Sequence, residues 1–306
     1  MDLADAHVGS LTLDFAKATG LLHMSSLRVD ASLSLDWGQF AEVDLAGLRV
    51  DQHLLMRYAT FADVKLFSAH VGGFLSLALS RVAGGLTCDL TCLGLEVGQE
   101  VVMIDATFDG SIDCHTAKIG SNLYLAGGQF KKEIDLTGAD IGGELAVDGL
   151  QGVSLTLVNT KIGIIPDLAD TWPPVLEING LTYRSVVAAD KFEDWFRRTD
   201  HYAPQPYGQL ASVVQNQGDT TLATAIRYAG RERERSEAKG GTWAWLTVLK
   251  WMIGYGYRPE QSILWALGLA AVGAHRVENL GRRTAQRDAI RSRLQLRHPA
   301  ADHPAA

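Results

Sequence analysis

The stretch FDGSIDCHTAKIGSNLYLAGGQFKKEIDLTGADIGGELAVDG, residues 108–149, repeats its pattern with a period of 11. A large apolar residue opens each copy, at Phe108, Ile119, Phe130 and Ile141. A second aliphatic residue follows four positions later, at Ile112, Leu123, Ile134 and Leu145. After it, apolar and outward-facing residues alternate with a period of two, which is typical of a short half-buried strand.

The same pattern runs upstream at spacings that alternate between ten and eleven positions, at Val29, Phe40, Val50, Phe61, Val71 and Val82. Strands this short are stable only when successive repeats stack and pair their backbones. We therefore predict a right-handed parallel β-helix, a solenoid with coils of 21–22 residues, over residues 1–185. Glycines that follow Val or Ile are expected at corners with positive φ, namely Gly9, Gly72, Gly120, Gly142 and Gly163.

One irregularity interrupts the repeat, because Val97 follows Val82 by fifteen positions where ten or eleven are expected. The extra residues fall in GGLTCDLTCLGLEVG, where we expect a bulge or small loop. Cys88 and Cys114 are predicted to fill the inward strand position that Leu or Met fills elsewhere, as small core residues. His115 should point away from the core, so that Cys114 and His115 could not share a metal. No other His/Cys group has zinc-ligand spacing.

A carboxylate ladder is predicted on the outside of the solenoid. Asp113 and Asp135 occupy the outward position of equivalent strands, Asp44 lies further up, and Lys65 and Thr87 interrupt the series. Stacked carboxylates raise one another's pKa or attract a cation, although a solvated acidic face is the simpler interpretation. The sequence contains no GxSxG, P-loop or strand-linked GxGxxG motif. We therefore expect no catalytic residues, no cofactor and no metal, and a protein that is not an enzyme.

Charge is distributed unevenly along the chain. Residues 1–185 carry 11 Lys and Arg against 23 Asp and Glu, a net −12, whereas the remainder carries 17 against 12, a net +5. The acidic body argues against nucleic acid as a partner. Three cysteines within 27 positions are not a disulfide framework, and the N-terminus lacks the basic and apolar regions of a signal peptide. These features predict a cytoplasmic protein, peripheral or anchored at the inner membrane.

The C-terminal part has helical periodicity. Residues 186–239 predict a helical hairpin that caps the solenoid, and residues 240–275 an aromatic-rich apolar helical segment that interacts with a membrane surface or a protein partner. Its aromatic residues flank apolar runs as in membrane-interface belts: Trp243, Trp245, Trp251, Tyr255, Tyr257 and Trp265. The uninterrupted apolar stretch 263–274 has 12 residues, short of the roughly 20 that span a bilayer. A docked core helix remains the alternative. Residues 276–306 form a basic tail that we expect to be disordered.

Several stretches resemble bacterial pentapeptide-like β-helix proteins that are labelled membrane-associated oxidoreductases or uncharacterised. The resemblance rests on FKKEIDLTGADIGG and IGGELAVDGLQG, on YAPQPYGQLASVVQNQGD, and on GYGYRP followed by an apolar run. It covers most of residues 1–274 and implies that GYGYRP enters a transmembrane helix. This chain departs from the pattern at His275, where an Arg-rich tail begins. The oxidoreductase label finds no cofactor motif here.

The leading functional hypothesis is a non-enzymatic scaffold, an acidic solenoid held at the membrane surface by its C-terminal segment. A second hypothesis is a DNA-mimicking inhibitor of a DNA-binding enzyme, since an acidic rod can imitate a phosphate backbone; a period of 11 and not 5 argues against it. A third is a self-assembling, bactofilin-like solenoid, because the repeat begins at Val8 without a capping helix and leaves an open edge for end-to-end association.

Overall fold

A computed structural model describes residues 1–83, 89–152, 154–167, 172–257, 263 and 265–276. The chain forms two compact units, Met1–Glu237 and Ala238–Ala306. The first contains a parallel β-solenoid of about 8 coils followed by helices. The second contains the aromatic-rich segment.

Each coil passes through four faces. The first face consists of β1 His7–Val8, β4 Arg28–Val29, β7 Arg49–Val50, β10 His70–Val71, β14 Glu96–Val97, β18 Lys118–Ile119, β22 Asp140–Ala146, β24 Lys161–Asp167 and β26 Thr182–Ala188. The second face consists of β2 Leu11–Thr12, β5 Leu33–Ser34, β8 Leu54–Leu55, β11 Leu75–Ser76, β15 Val101–Val102, β19 Leu123–Tyr124 and the end of β22. All described pairings are parallel.

The third and fourth faces share three longer strands, β3 Lys17–His23, β6 Gln39–Asp44 and β9 Thr60–Lys65, and then separate. The third face continues in β12 Arg81–Val82, β16 Thr107–Phe108 and β20 Gln129–Phe130. The fourth continues in β13 Leu90–Thr91, β17 Ile112–Asp113, β21 Glu133–Asp135, β23 Ser154–Thr156 and β25 Val175–Glu177.

The pairing register confirms the repeat that the sequence predicts. Ile112 pairs with Ile134, and Leu123 pairs with Leu145, so each partner lies two half-repeats further along the chain. Val29 pairs with Val50, again across one full coil. The side chains of these residues point inward and are at most 2% exposed, so the hydrophobic effect holds each coil on its neighbours.

The reason predicted for the corner glycines is wrong. Positive φ occurs elsewhere, and the glycines between the first and second faces are needed because successive coils approach closely. A Cβ on Gly120 would lie 2.1 Å from the Gly98 carbonyl oxygen, and one on Gly142 would lie 2.4 Å from the Gly120 oxygen. The same relation holds at Gly72, Gly98 and Gly163. Gly9, in the first coil, has no atom within 4 Å of a Cβ.

Two other corners of the coil do adopt left-handed backbone. The corner that follows the fourth face uses small or polar residues: Asp5, Ser26, Gly47, Ser68, Gly94, Thr116, Gly138, Asn159 and Gly180. The corner between the second and third faces instead begins with four large side chains, Phe15, Trp37, Tyr58 and Leu79, at φ values of 56–60°. Left-handed backbone costs a residue with a Cβ about 1–2 kcal/mol, so bulky residues are unexpected at this position.

The predicted irregularity is present as one longer coil, since Val71 pairs with Val97 and Val64 pairs with Leu90. The extra residues therefore fall between β12 and β13. Residues 84–88, which include Thr87 and Cys88, lie outside the described residues. The prediction for Cys88 therefore lies outside the described residues as well. Cys92 fills the strand position beside Cys114, and both of these cysteines are buried. Because Leu90 pairs with Ile112, Cys92 lies two residues further on and opposite Cys114.

Helix α2, Pro204–Asn216, covers the edge of the last first-face strand, β26. Its glutamines occupy the hydrogen-bonding positions that a further strand would take. Gln205 and Gln209 donate from Nε2 to the carbonyls of Leu181 and Tyr183, each at 2.9 Å. Side-chain amides thus satisfy backbone groups that the end of the sheet leaves unpaired. The other helices of this unit are α1, Phe192–Arg197, and α3, Thr220–Glu237.

In the second unit, α4 spans Gly240–Ile253 and a 3₁₀ turn spans Gly254–Gly256. All three residues of that turn have positive φ, so α4 ends there. Residues 265–276 are helical. The Trp265 Nε1 donates to the carbonyl of Trp251 at 3.0 Å, so the two helical stretches contact each other. The predicted tail beyond Arg276 lies outside the described residues.

Candidate functional site

The fourth face carries the predicted carboxylate ladder. Its outward column runs His23, Asp44, Lys65, Thr91, Asp113, Asp135, Thr156 and Glu177. Asp113 and Asp135 are direct neighbours, as predicted, and Thr91 rather than Thr87 separates Asp113 from Lys65 because of the long coil. A parallel outward column adds four more carboxylates: Glu42, Asp63, Asp89 and Glu133. Lys65 is the only Lys or Arg described in these two columns, and it pairs with Glu42 at 2.5 Å.

The three predicted aspartates also have a local structural role. Each accepts a hydrogen bond from the backbone N–H two residues further on, at 3.0 Å for Asp44, 3.2 Å for Asp113 and 2.9 Å for Asp135. An aspartate that caps its own turn in this way favours the corner after the strand. The repeated aspartate is therefore explained in part by turn formation.

His115 lies between the two stacked carboxylates. Its Nδ1 is 2.6 Å from Asp113 Oδ1, and its Nε2 is 3.4 Å from Asp135 Oδ2. The hydrogen bond to Asp113 is the main cause that raises the pKa of His115; desolvation by burial opposes it, and the charges of Asp135 and Asp113 add to the increase. The sequence placed His115 outside the core but gave no sign that it bridges Asp113 and Asp135.

We expect His115→Gln to be less stable than the wild type near about pH 5.5 and equally stable near about pH 9. The folded-state pKa of His115 is raised, so its stabilising contribution is present below the unfolded-state pKa and is lost as pH rises through the folded value. Thermal unfolding followed by circular dichroism at both pH values measures this. The Asp113→Asn variant should also lose most of this pH-dependent stabilisation, because Asp113 is the hydrogen-bond partner of His115 Nδ1. An equal loss for His115→Gln at both pH values would contradict the bridging role.

The acidic columns lead into a cleft of about 350 Å³ between strands β21, β23 and β25 and the segment 196–207. The cleft contains the carboxylates of Glu133, Glu177 and Asp200, and no Lys or Arg is among its described lining residues. Phe196 and Tyr207 stack beneath it with ring centroids 3.8 Å apart. Carboxylates beside aromatic rings suit an organic cation. Sequence reasoning missed this cleft, because it depends on the chain folding back after α1.

An ion pair on α3 holds the wall of the cleft. Arg233 donates to the carbonyls of Phe196 at 2.6 Å and Thr199 at 2.7 Å, while Glu237 accepts from Arg233 and from the Tyr202 N–H, each at 2.8 Å. Burial raises the pKa of Glu237, but these two hydrogen bonds and the charges of Arg233 and His201 together lower it more, so its pKa lies below the usual value. The carboxylate therefore stays charged and keeps the segment 199–203 in place.

The buried thiols of Cys92 and Cys114 are poorly suited to nucleophilic or metal chemistry. Contact with the Cys92 thiol, followed by burial, raises the pKa of Cys114 well above its usual range. A thiol that stays protonated is a poor nucleophile and a poor metal ligand. Across the described residues no group of three or more His, Cys, Asp or Glu side chains is arranged to hold a metal ion.

The predicted aromatic residues of the second unit lie on its surface. Trp243, Trp245 and Trp251 are 48%, 62% and 71% exposed on α4, and Trp265 is 51% exposed. Tyr255 and Tyr257 are partly exposed in and after the 3₁₀ turn. Every described residue of 265–276 is exposed, and Leu246 is the one apolar residue of α4 that is buried. No helix within the described ranges is long and apolar enough to cross a membrane.

These features define the class of the protein: a parallel β-solenoid with a helix-covered end, one strongly acidic face, and a separate apolar helical unit. No protein-family model matches the chain, and no curated protein sequence or solved structure matches it either.

Proposed function

We propose that the chain is a non-enzymatic interaction protein that is held at a membrane surface by residues 240–276 and presents its acidic fourth face to a basic protein partner. The observation that carries the proposal is the exposure of the apolar side chains of this segment. In α4 they include Trp243, Trp245, Val248, Trp251 and Met252.

The distribution of these side chains favours lipid as their partner. At about 100° per residue the five positions spread over about 200° of the helix circumference, wider than the stripe of about 100° that a helix buries against a protein. Lys250 is the only charged residue in α4. Tryptophan and tyrosine prefer the membrane interface, where the ring is partly apolar and its N–H or O–H stays hydrated.

Helix α4 is too short to cross a bilayer. Fourteen residues form a helix of about 21 Å, against about 30 Å for the hydrocarbon core of a bilayer. The hydrogen bond from Trp265 to the Trp251 carbonyl places the following helical stretch in contact with α4. We propose a helical pair that lies in the interface, which corresponds to a peripheral protein on the cytoplasmic side.

A full-length Trp245→Ser/Trp251→Ser variant should lose most of its binding to phosphatidylcholine–phosphatidylglycerol vesicles in a flotation assay. The Trp251 carbonyl that contacts Trp265 is backbone, so the substitution leaves that hydrogen bond in place. Val187→Ser is the matched control, since Val187 is 74% exposed on the solenoid. Equal flotation of the double variant and the wild type would exclude α4 as the membrane contact.

The DNA-mimic alternative stays a weaker proposal. The acidic columns of the fourth face are interrupted by Lys65, Thr91 and Thr156, whereas a DNA strand carries a phosphate at every step of about 3.4 Å. The carboxylates of the fourth face form an interrupted series that ends at a cleft with aromatic rings. We therefore favour a basic peptide segment as the partner of this face. End-to-end association of solenoids likewise stays a prediction, which sedimentation velocity can test.

A further inference from the structure

Four successive coils carry a column of exposed apolar side chains, which we name the aromatic strip: Phe15, Trp37, Tyr58 and Leu79. Their exposed fractions are 71%, 52%, 45% and 48%. Each backbone N–H hydrogen-bonds the next coil, as in Trp37 N–H to the Arg57 carbonyl at 2.9 Å and Tyr58 N–H to the Ala78 carbonyl at 3.1 Å. The strip is therefore set rigidly by the solenoid.

Local structure does not explain these residues. Their left-handed backbone favours glycine or asparagine, and the same corner in later coils has Asp105, Gly127 and Gly149. The side chains nevertheless remain 45–71% exposed. Strained residues that the surrounding fold fixes in an exposed column point to a function on that surface.

The geometry of the rings limits what can bind. Trp37 and Tyr58 are stacked with centroids 4.1 Å apart at 5°, and Phe15 and Trp37 with centroids 6.2 Å apart at 11°. The faces between these rings are closed to ligands such as sugars, which stack on an open aromatic face. Ring edges, the Trp37 N–H and the Tyr58 O–H remain available, and this combination suits a membrane interface.

The charge around the strip differs from that of the rest of the solenoid. Two residues after each strip position lie Lys17, Gln39, Thr60 and Arg81, with no acidic residue among them. On the other side, the side chain of Asp36 is 7% exposed and is bound by Arg57, which neutralises it. Arg81 is paired with Asp109 at 3.8 Å. Counting Asp14, Asp36 and Asp109 against Lys17, Arg57 and Arg81, the surroundings have a net charge of 0, within a region of −12. This patch can approach an anionic lipid surface that repels the fourth face.

We infer that the aromatic strip is a second lipid-contact site, through which the solenoid itself touches the membrane interface. The inference extends the proposed function to a new surface and rests on its choice of lipid as the partner. Phe15, Trp37 and Tyr58 insert at the level of the lipid headgroups, and Lys17 faces the lipid phosphates.

The test uses the full-length Trp37→Gly/Tyr58→Gly variant, because glycine fits the left-handed backbone and the fold should survive. Vesicles of phosphatidylcholine and phosphatidylglycerol are the probe, and the expected result is about a tenfold lower partition coefficient with little change in thermal midpoint. Thr116→Gly is the control, since Thr116 has a φ of 57° at the other left-handed corner. It should bind like the wild type.

The outcomes separate the two proposals. If Trp245→Ser/Trp251→Ser loses binding while Trp37→Gly/Tyr58→Gly keeps it, the strip inference is wrong and the proposed function stands. If the reverse is found, the strip is a lipid contact and α4 is not. A wild type that dimerises through the strip, as shown by sedimentation velocity, and ignores vesicles would assign the strip to a second copy and overturn the inference.

Discussion

Replacing Gly120 by alanine is expected to destabilise the solenoid by about 3 kcal/mol, at the upper end for overpacking. The added Cβ would lie 2.1 Å from the Gly98 carbonyl oxygen and 2.9 Å from its carbon. Both atoms belong to the backbone of the neighbouring coil, so no side-chain rotation can relieve the clash. The coils have to separate, which weakens the pairing of Ile119 with Val97 and Ile141.

Gly9→Ala is the matched control, because Gly9 follows Val8 as Gly120 follows Ile119 but has no atom within 4 Å of its added Cβ. Its effect should stay within about 0.5 kcal/mol. Urea unfolding monitored by circular dichroism measures both variants. Similar losses at the two positions would show that coil contact is not the reason for the glycine column.

Phe108→Ala should cost about 3–5 kcal/mol, the range for removing a large aromatic side chain from a packed core. Phe108 is 0% exposed and stacks on Phe130 with ring centroids 5.3 Å apart. Phe108 pairs with Val82, which precedes the extra residues of the long coil. Its side chain lies inside the solenoid, on the third face. The cavity would be closed on both sides by neighbouring coils and could not easily collapse.

Phe67→Ala provides the comparison, because the ring of Phe67 is 47% exposed on the outside of the solenoid. We expect a loss below about 1 kcal/mol there. The same urea experiment gives both values. Comparable losses for Phe108 and Phe67 would contradict the assignment of the inward and outward positions.

The solenoid could be predicted because its core repeats in sequence. The spacing of two half-repeats between Ile112 and Ile134 translates directly into their pairing, since stacked coils of equal length keep the same inward positions in register. The prediction failed where the coil length changed. The additional residues of the long coil could be placed only by pairing Leu90 with Ile112, which sets Cys92 beside Cys114.

The functional surfaces were less visible in the sequence. Asp113 and Asp135 could be predicted as neighbours from the repeat, but the cleft depends on a long-range return of the segment 196–207 that no local pattern specifies. The aromatic strip had a signal, because Phe15, Trp37 and Tyr58 recur once per coil in three successive coils. It was hidden because aromatic residues contradict the local preference for glycine at left-handed corners.

Quenching of tryptophan fluorescence by brominated phospholipids tests the membrane proposal most directly. Intact protein is mixed with vesicles of phosphatidylcholine and phosphatidylglycerol in which bromine is attached to the acyl chains. Trp243, Trp245, Trp251 and Trp265 are exposed and should enter the interface, so we predict a saturable loss of emission that salt weakens. Emission that stays unchanged at saturating lipid would contradict the proposal that this protein works at a membrane surface.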